Sequence, residues 1–233
     1  MTVLKQSLEP FSLPLGSAAW EKLERFHAFL LEQNQRMDLT QVPETDMPVR
    51  HYADSLMPLN LGFFPDGCQV IDVGSGAGFP GLPLAIARED MQVVLLESMR
   101  KRCDFLNEAV ALLNLSNVQV VAGRAEDVAH VALREQFDLA LARAVAQLPV
   151  LAEYLLPFVK TGGCALCWKG PAVSGEIPAA QKACDILGGA MGPLVDLKIP
   201  GRSHYIQVMN KVGMTPNKYP RKAGVPGKKP LGD

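Results

Sequence analysis

The spacing of apolar positions changes rhythm once along the 233 residues. Up to about residue 66 it is helical. Trp20, Leu23, Phe26, Leu30 and Leu31 fall on one face, with His27 at its edge, in a helix that Ser17 is placed to cap. Residues 1–16 carry Pro10, Pro14 and Gly16 and read as an irregular lead. Pro43 marks a break, and a second short helix is expected after Thr45-Asp46, carrying Arg50 to Leu56. From Gln69 onward short apolar runs alternate with helical segments. Strands are expected at 69–73, 92–97, 118–122, 137–142 and 164–168, with helices at 99–113, from 125, at 148–159 and at 173–187. Two last strands, 194–199 and 205–211, form a closing hairpin. Alternation of this kind predicts an α/β fold, a doubly wound parallel sheet with helices on both faces. The expected organisation is an N-terminal helical cap (1–66), a sheet domain (67–211) and a basic, proline-rich tail (212–233).

One stretch stands out: Val70-Ile-Asp-Val-Gly-Ser-Gly-Ala-Gly-Phe-Pro-Gly-Leu-Pro-Leu-Ala85. It reads as a buried strand, a glycine turn and a helix start, with Pro80 and Pro83 suited to the first helical turn. Glycines let a backbone approach a ligand closely. Gly76, Gly78 and Gly81 satisfy the G-x-G-x-x-G spacing of dinucleotide sites. The strand ends at Val73, however, so the turn begins at Gly74 and reads D-x-G-x-G-x-G. That register is similar to the first motif of S-adenosylmethionine-dependent methyltransferases. Asp72 would repel a pyrophosphate and suits an ammonium group.

Composition narrows the class further. Hydrophobic content of 48% and charged content of 20% are ordinary for a soluble globular chain. No signal peptide and no membrane-spanning run is indicated. Five cysteines without paired spacing fit a reducing cytoplasm. The net charge of -1 hides an asymmetry: from Lys211 onward there are six basic side chains and one acidic one.

Chemistry-bearing residues fall at the expected strand ends, which face the binding crevice of such folds. Glu97 ends the second strand, where an acidic side chain accepts hydrogen bonds from a ribose diol. Arg124-Ala-Glu126 follow the third strand and suit an adenine edge. Arg143 follows the fourth, facing substrate, and is the candidate catalytic residue; it positions a base or a phosphate. The Asn/Asp-Pro-Pro-aromatic sequence of adenine-type amine methyltransferases is absent there. Cys164 and Cys167 read as core, not as a nucleophile or a metal pair. A guanine N7 already holds a free lone pair, so its methylation needs orientation and neither base nor nucleophile. Lys169, Arg202, Lys218, Arg221 and Lys222 are candidate contacts to an RNA backbone, the last three on an extended tail with Tyr219. Other readings are a small-molecule methyltransferase, a dinucleotide oxidoreductase and a non-catalytic RNA-binding module.

The chain resembles the bacterial 16S ribosomal RNA guanine-N7 methyltransferases, the glucose-inhibited division protein B family. The matching text is Asp38-Leu-Thr40, Arg50-His51 with Asp54-Ser-Leu56, Asp72 to Gly81, Glu97-Ser98 with Lys101-Arg-Cys103, Arg124-Ala-Glu126, Arg143-Ala144, Lys169-Gly170 and Tyr219-Pro-Arg221. It departs at Asp38, where the family usually has Asn. The resemblance implies a Rossmann-like class I methyltransferase sheet with S-adenosylmethionine bound at Gly74, Phe79, Ala125, Glu126 and Arg143. Asp72, Gly76, Gly78 and Glu97 join this set from the motif itself. The implied partner is 16S ribosomal RNA or the small ribosomal subunit, with no membrane, no metal and the chain acting as a monomer.

Overall fold

A computed structural model describes residues 2–131 and 133–232. The lead is helical, not irregular: α1 (Val3–Leu8) is capped by the Thr2 side chain and buries Leu4 and Leu8, one turn apart. Its prolines come too late to prevent it, since Pro10 opens the following 3-10 turn. α2 (Ser17–Met37) buries Leu23, Phe26 and Leu30, and Gly16, not Ser17, is the residue at its cap. Asp38 ends it in the left-handed conformation (φ 47°), which Asp and Asn both tolerate.

The rest of the cap is a continuous run of tight turns. A 3-10 turn (Glu44–Asp46) leads into a π-helical turn (Pro48–Ala53), then α3 (Asp54–Leu56) and another 3-10 turn (Met57–Leu61). The wide π turn is of the kind that gathers at functional sites. It buries His51, Tyr52 and Ala53, and α3 buries Asp54.

The sheet comprises β1 (Gln69–Val73), β2 (Gln92–Glu97), β3 (Val118–Ala122), β4 (Phe137–Arg143), β5 (Val159–Lys169), β6 (Gly189–Asp196) and β7 (Tyr205–Lys211). Their order is β3-β2-β1-β4-β5-β7-β6, and β7 runs antiparallel to both neighbours. Between strands lie α4 (Gly81–Ala87), α5 (Arg100–Leu112), α6 (Ala125–Val128), α7 (Leu148–Leu155) and α8 (Ile177–Ile186). Apolar side chains form two clusters, one containing the cap and one containing α7 and α8. No helix among the described residues is long and apolar enough to cross a membrane.

Two strands differ from their sequence pattern. β5 begins before Gly162-Gly163, and the register shifts between Phe137 and Leu139 of β4. β6 begins at Gly189 and shifts register between Met191 and Leu194. Its Gly192-Pro193 disguises it, yet an edge strand tolerates Pro.

The tail is folded, which corrects the expected extended segment. The Thr215 hydroxyl donates to the Leu187 carbonyl, and Arg134 donates to the carbonyls of Thr215 and Tyr219. Tyr219 is buried in the α7/α8 cluster. Arg221 grips the buried Glu153 carboxylate with two nitrogens, at 3.0 and 2.6 Å. A last short helix, α9 (Val225–Lys228), follows. The tail is thus a strap across α6 and α7.

Asp72 also departs from expectation. Its carboxylate is fully buried; Oδ2 accepts the Gly81 N–H at 2.9 Å, and Oδ1 has no partner among the described residues. It fastens the start of α4 to β1 and does not line the cleft at the strand ends. Burial raises its pKa from 3.8 to about 7, against the lowering effect of the Gly81 N–H. Between those values the folded state holds a proton that the unfolded chain has released. This carboxyl therefore favours folding below its unfolded pKa, and that contribution is lost as pH rises to about 7. Denaturant midpoints across this range should fall less steeply with pH in Asp72→Asn than in the parent. Equal slopes would show that Asp72 is ionised throughout.

Candidate active site

The glycine turn after β1 is built on positive φ at Gly74 (76°), Gly76 (56°) and Gly78 (91°). A Cβ on Gly74 would meet Val145 Cγ2 at 2.8 Å, so the turn and the segment after β4 are in close contact. At the same end of the sheet lies a cleft of about 160 Å³. It is lined by Gly74, Ser98, Arg124, Ala125, Glu126 and Tyr154, among others. The structure thereby brings together Gly74, Ala125 and Glu126 from separate strand ends. As the first residues of α6, Ala125 and Glu126 have N–H groups that their own helix cannot satisfy.

Glu97 sits just behind this cleft, 4% exposed. Oε2 accepts the Gly76 N–H at 3.0 Å, and Oε1 accepts the Met99 N–H at 2.8 Å. The carboxylate thus pins both loops that flank the cleft, and a carboxylate retains lone pairs for further donors. Glu126 is also engaged: Oε1 accepts the Gly224 N–H of the tail strap. Burial, then the nearby Glu126, raises the Tyr154 pKa.

The donor set fits a nucleoside carrying positive charge better than a pyrophosphate. Two carboxylates flank the turn, Arg124 is the sole basic side chain lining the cleft among the described residues, and the turn amide of Gly76 is already bonded to Glu97. Gly74, Ala125 and Glu126 line this cleft, and Glu97 ties its two flanking loops together.

Phe79 and Arg143 lie elsewhere. The Phe79 ring, 4% exposed, is packed under the cap and does not line the cleft. It stacks on His51 with centroids 4.5 Å apart and contacts Phe26 and Tyr52. Arg143 lines a second, larger cavity of about 440 Å³ with Thr40, Arg50, His51, Asp54, Trp168, Lys169 and His204. Residues 143–146 separate the two spaces: Ala144 and Ala146 line the cavity, and Val145 lines the cleft. Ala144 has a positive φ of 57°, uncommon for a residue with a Cβ.

The cavity's polar groups are bonded to one another. Arg143 donates to the Arg50 carbonyl at 3.0 Å, to Asp54 Oδ2 at 3.1 Å and to His51 Nδ1 at 3.2 Å. His51 therefore carries its proton on Nε2, 2.9 Å from the Thr40 hydroxyl. Burial, then the Arg143 charge, lowers its pKa from 6.5 to about 3, so the ring is neutral. His204 Nδ1 lies 2.7 Å from Asp54 Oδ1, and Trp168 Nε1 donates to the Asp54 carbonyl.

The expected RNA contacts divide. Lys169 is paired inward with Glu176 at 2.7 Å and donates to the Ala146 carbonyl, so its charge braces the cavity wall. The Arg221 guanidinium is committed to Glu153 and to the Lys229 carbonyl. Both correct the expectation of free phosphate ligands. Lys218 and Lys222 are exposed on the strap, and Arg202 lies beside His204. No group of three or more His, Cys, Asp or Glu among the described residues is placed to hold a metal ion.

Sequence reasoning gave no role to Asp54, His51 or His204. The Arg50-His51 and Asp54 text was visible, but nothing local connects residue 54 with residue 204, 150 positions away.

A carboxylate placed in the glycine turn should oppose cofactor binding. Gly76→Asp would set a second charge beside Glu97, on a backbone with φ 56°. Calorimetric titration with S-adenosylmethionine should show no measurable binding to a variant that keeps its circular dichroism. Parent-like affinity would place the cofactor elsewhere.

Comparison with known proteins agrees with this geometry. The family model described as rRNA small subunit methyltransferase G matches residues 19–203. Curated proteins named Ribosomal RNA small subunit methyltransferase G from Alkaliphilus oremlandii (strain OhILAs) and Leuconostoc citreum (strain KM20) are 42% and 44% identical to it. The first alignment covers 98% of both chains, and the second covers 97% of this chain and 96% of the relative. Among solved structures, MtNAS in complex with MTA and tNA superposes with a TM-score of 0.55 at 17% identity, covering 80% of this chain and 71% of that one. M. jannaschii TYW2 in complex with AdoMet gives 0.53 at 18% identity, covering 69% and 77%. At such identities the structural likeness speaks for the class I methyltransferase fold alone. The sequence matches carry the assignment: the chain belongs to the rRNA small subunit methyltransferase G family, which is S-adenosylmethionine-dependent.

Proposed function

We propose that the protein transfers a methyl group from S-adenosylmethionine to N7 of a guanine in the 16S RNA of the small ribosomal subunit. One observation carries this reading. Beside the cofactor cleft lies a cavity whose proton-accepting side chains are already hydrogen-bonded within the protein. His51 is neutral with both ring nitrogens engaged, and both oxygens of Asp54 are taken. Cys164 and Cys167 lie in β5, where burial pushes the first thiol up to about 11 and the second still higher. An acceptor that must first lose a proton, or be activated by a thiolate, finds no partner there among the described residues. A guanine N7 needs neither.

When bound, S-adenosylmethionine supplies an electrophilic methyl group on a sulfonium. The chain's own contribution is placement. Gly74, Ala125, Glu126 and Glu97 hold the nucleoside portion. Arg143, stiffened by three partners and lying over the Phe79 ring at 5.1 Å, orients the base or its phosphate from the neighbouring cavity. It does not donate to N7, which would occupy the attacking lone pair. Arg202, Lys218 and Lys222 supply positive charge for RNA phosphates. The reading takes the protein to act as a monomer in the cytoplasm.

The test is methyl transfer from labelled S-adenosylmethionine to unmodified small subunits or their RNA, with the product base mapped by mass spectrometry. Label is expected as N7-methylguanine at one site. Label on another atom, or none with cofactor binding intact, would overturn the reading. Arg143→Ala should lower turnover at saturating RNA roughly tenfold or more while changing cofactor affinity less than about twofold. Parent-like turnover would remove Arg143 from the site.

A further inference from the structure

His204 belongs to the connection between β6 and β7, far along the chain from the cap. Its ring nevertheless reaches Asp54 at 2.7 Å, on a carboxylate that is 2% exposed. Asp54 is held from three sides. Arg143 donates to Oδ2, His204 Nδ1 meets Oδ1, and Trp168 fixes the backbone carbonyl. On its other side, His204 Nε2 lies 3.4 Å from Arg202 Nε, which can only donate. In this geometry Nδ1 carries the proton directed at Asp54 and Nε2 accepts from Arg202. A chain of contacts thus runs Arg143–Asp54–His204–Arg202, from the interior of the cavity to the connection at its mouth.

The arrangement is costly unless it serves placement. A lone Arg143–Asp54 pair would leave one carboxylate oxygen unpaired in a buried site, and burying an incompletely bonded charge is unfavourable. His204 fills that vacant valence and removes the carboxylate's freedom to rotate away from Arg143. The same ring fixes the direction of Arg202, whose charge otherwise sits on a flexible stem. One side chain therefore sets two guanidinium groups in a common geometry, one inside the cavity and one at its rim.

We propose that Asp54 and His204 form a positioning pair for methyl transfer. In this pair His204 orients the carboxylate that aims Arg143 at the target base, and couples it to Arg202, which meets a phosphate of the same RNA strand. The proposal rests on the RNA-methylation reading above. Neither residue touches the transferred methyl group; both act through the two arginines.

His204→Phe and His204→Asn separate the two links. The Asn amide can reproduce the Nδ1 donor toward Asp54, but its oxygen falls short of the Nε2 position that accepts from Arg202. Single-turnover methylation at saturating small subunits should fall roughly tenfold in His204→Phe and recover to within about threefold of the parent in His204→Asn. The subunit concentration for half-saturation should rise in both variants, because both release Arg202. Calorimetric affinity for S-adenosylmethionine, which binds in the other cleft, should stay at the parent value. A parent-like rate in His204→Phe would overturn the proposal, as would failure of Asn to outperform Phe. A parallel loss of cofactor affinity would mark a merely structural role. The histidine tautomer gives a readout independent of substrate: ¹⁵N shifts of the free parent protein should show His204 protonated on Nδ1. If the parent fails to methylate RNA while that tautomer is present, the functional reading falls and the pair stands. The opposite tautomer removes the pair whatever the substrate.

Discussion

The ring of Phe79 is the contact on which the two halves of the molecule converge. It directly follows the glycine turn, so its position is fixed by the same backbone that shapes the cleft at the strand ends. Around it sit Phe26 of α2, His51 and Tyr52 of the π turn, and the guanidinium of Arg143 from β4. Aromatic pairs in stacked and edge-on geometry add specific orientation to burial. Cap, turn and the Arg143 cavity are therefore packed against one side chain. A shift in the turn cannot leave the cavity unchanged, because interiors at this density have little slack.

Around that contact the protein solves a second problem, the burial of charge. Asp54, Glu97, Glu126 and Glu153 are each no more than 5% exposed, yet each has identified donors. Three of the four join segments distant in sequence: the cap to β4, the strap to α6, and the strap to α7. Removing one partner from such a pair leaves an uncompensated charge, so these links specify how the segments assemble even where they add little net stability. Asp72 differs: one oxygen lacks a partner among the described residues, and its proton affinity rises accordingly. The cleft and the cavity consequently have rigid polar walls. Such walls suit a reaction governed by orientation, since fixed geometry supplies what an acid, base or nucleophile would otherwise contribute.

What the sequence determined by itself was the sheet and the edge at which its strand-end residues gather. Strands β1, β2, β3 and β7 were legible because short apolar runs bounded by polar and glycine positions have few alternatives. The glycine turn was legible because only glycine serves at repeated positive φ. Glu97, Ala125 and Glu126 were legible as strand-end residues because an alternating fold brings all such ends to one edge. Tertiary structure alone decided which residues share a cavity. Arg143 was expected both at the cofactor and facing substrate; the turn at Ala144 directs it toward the cap, where it meets Asp54. Lys169 and Arg221 looked like free cations because sequence records a charge and not its partner; Glu176 and Glu153 claim them. The tail looked extended because its composition is polar and proline-rich, while its order comes from Arg134, Glu126 and Glu153, all far upstream. Periodicity reports how a segment buries its own face. Pairings between distant residues exist only once the chain has closed on itself, and here those pairings place the chemistry.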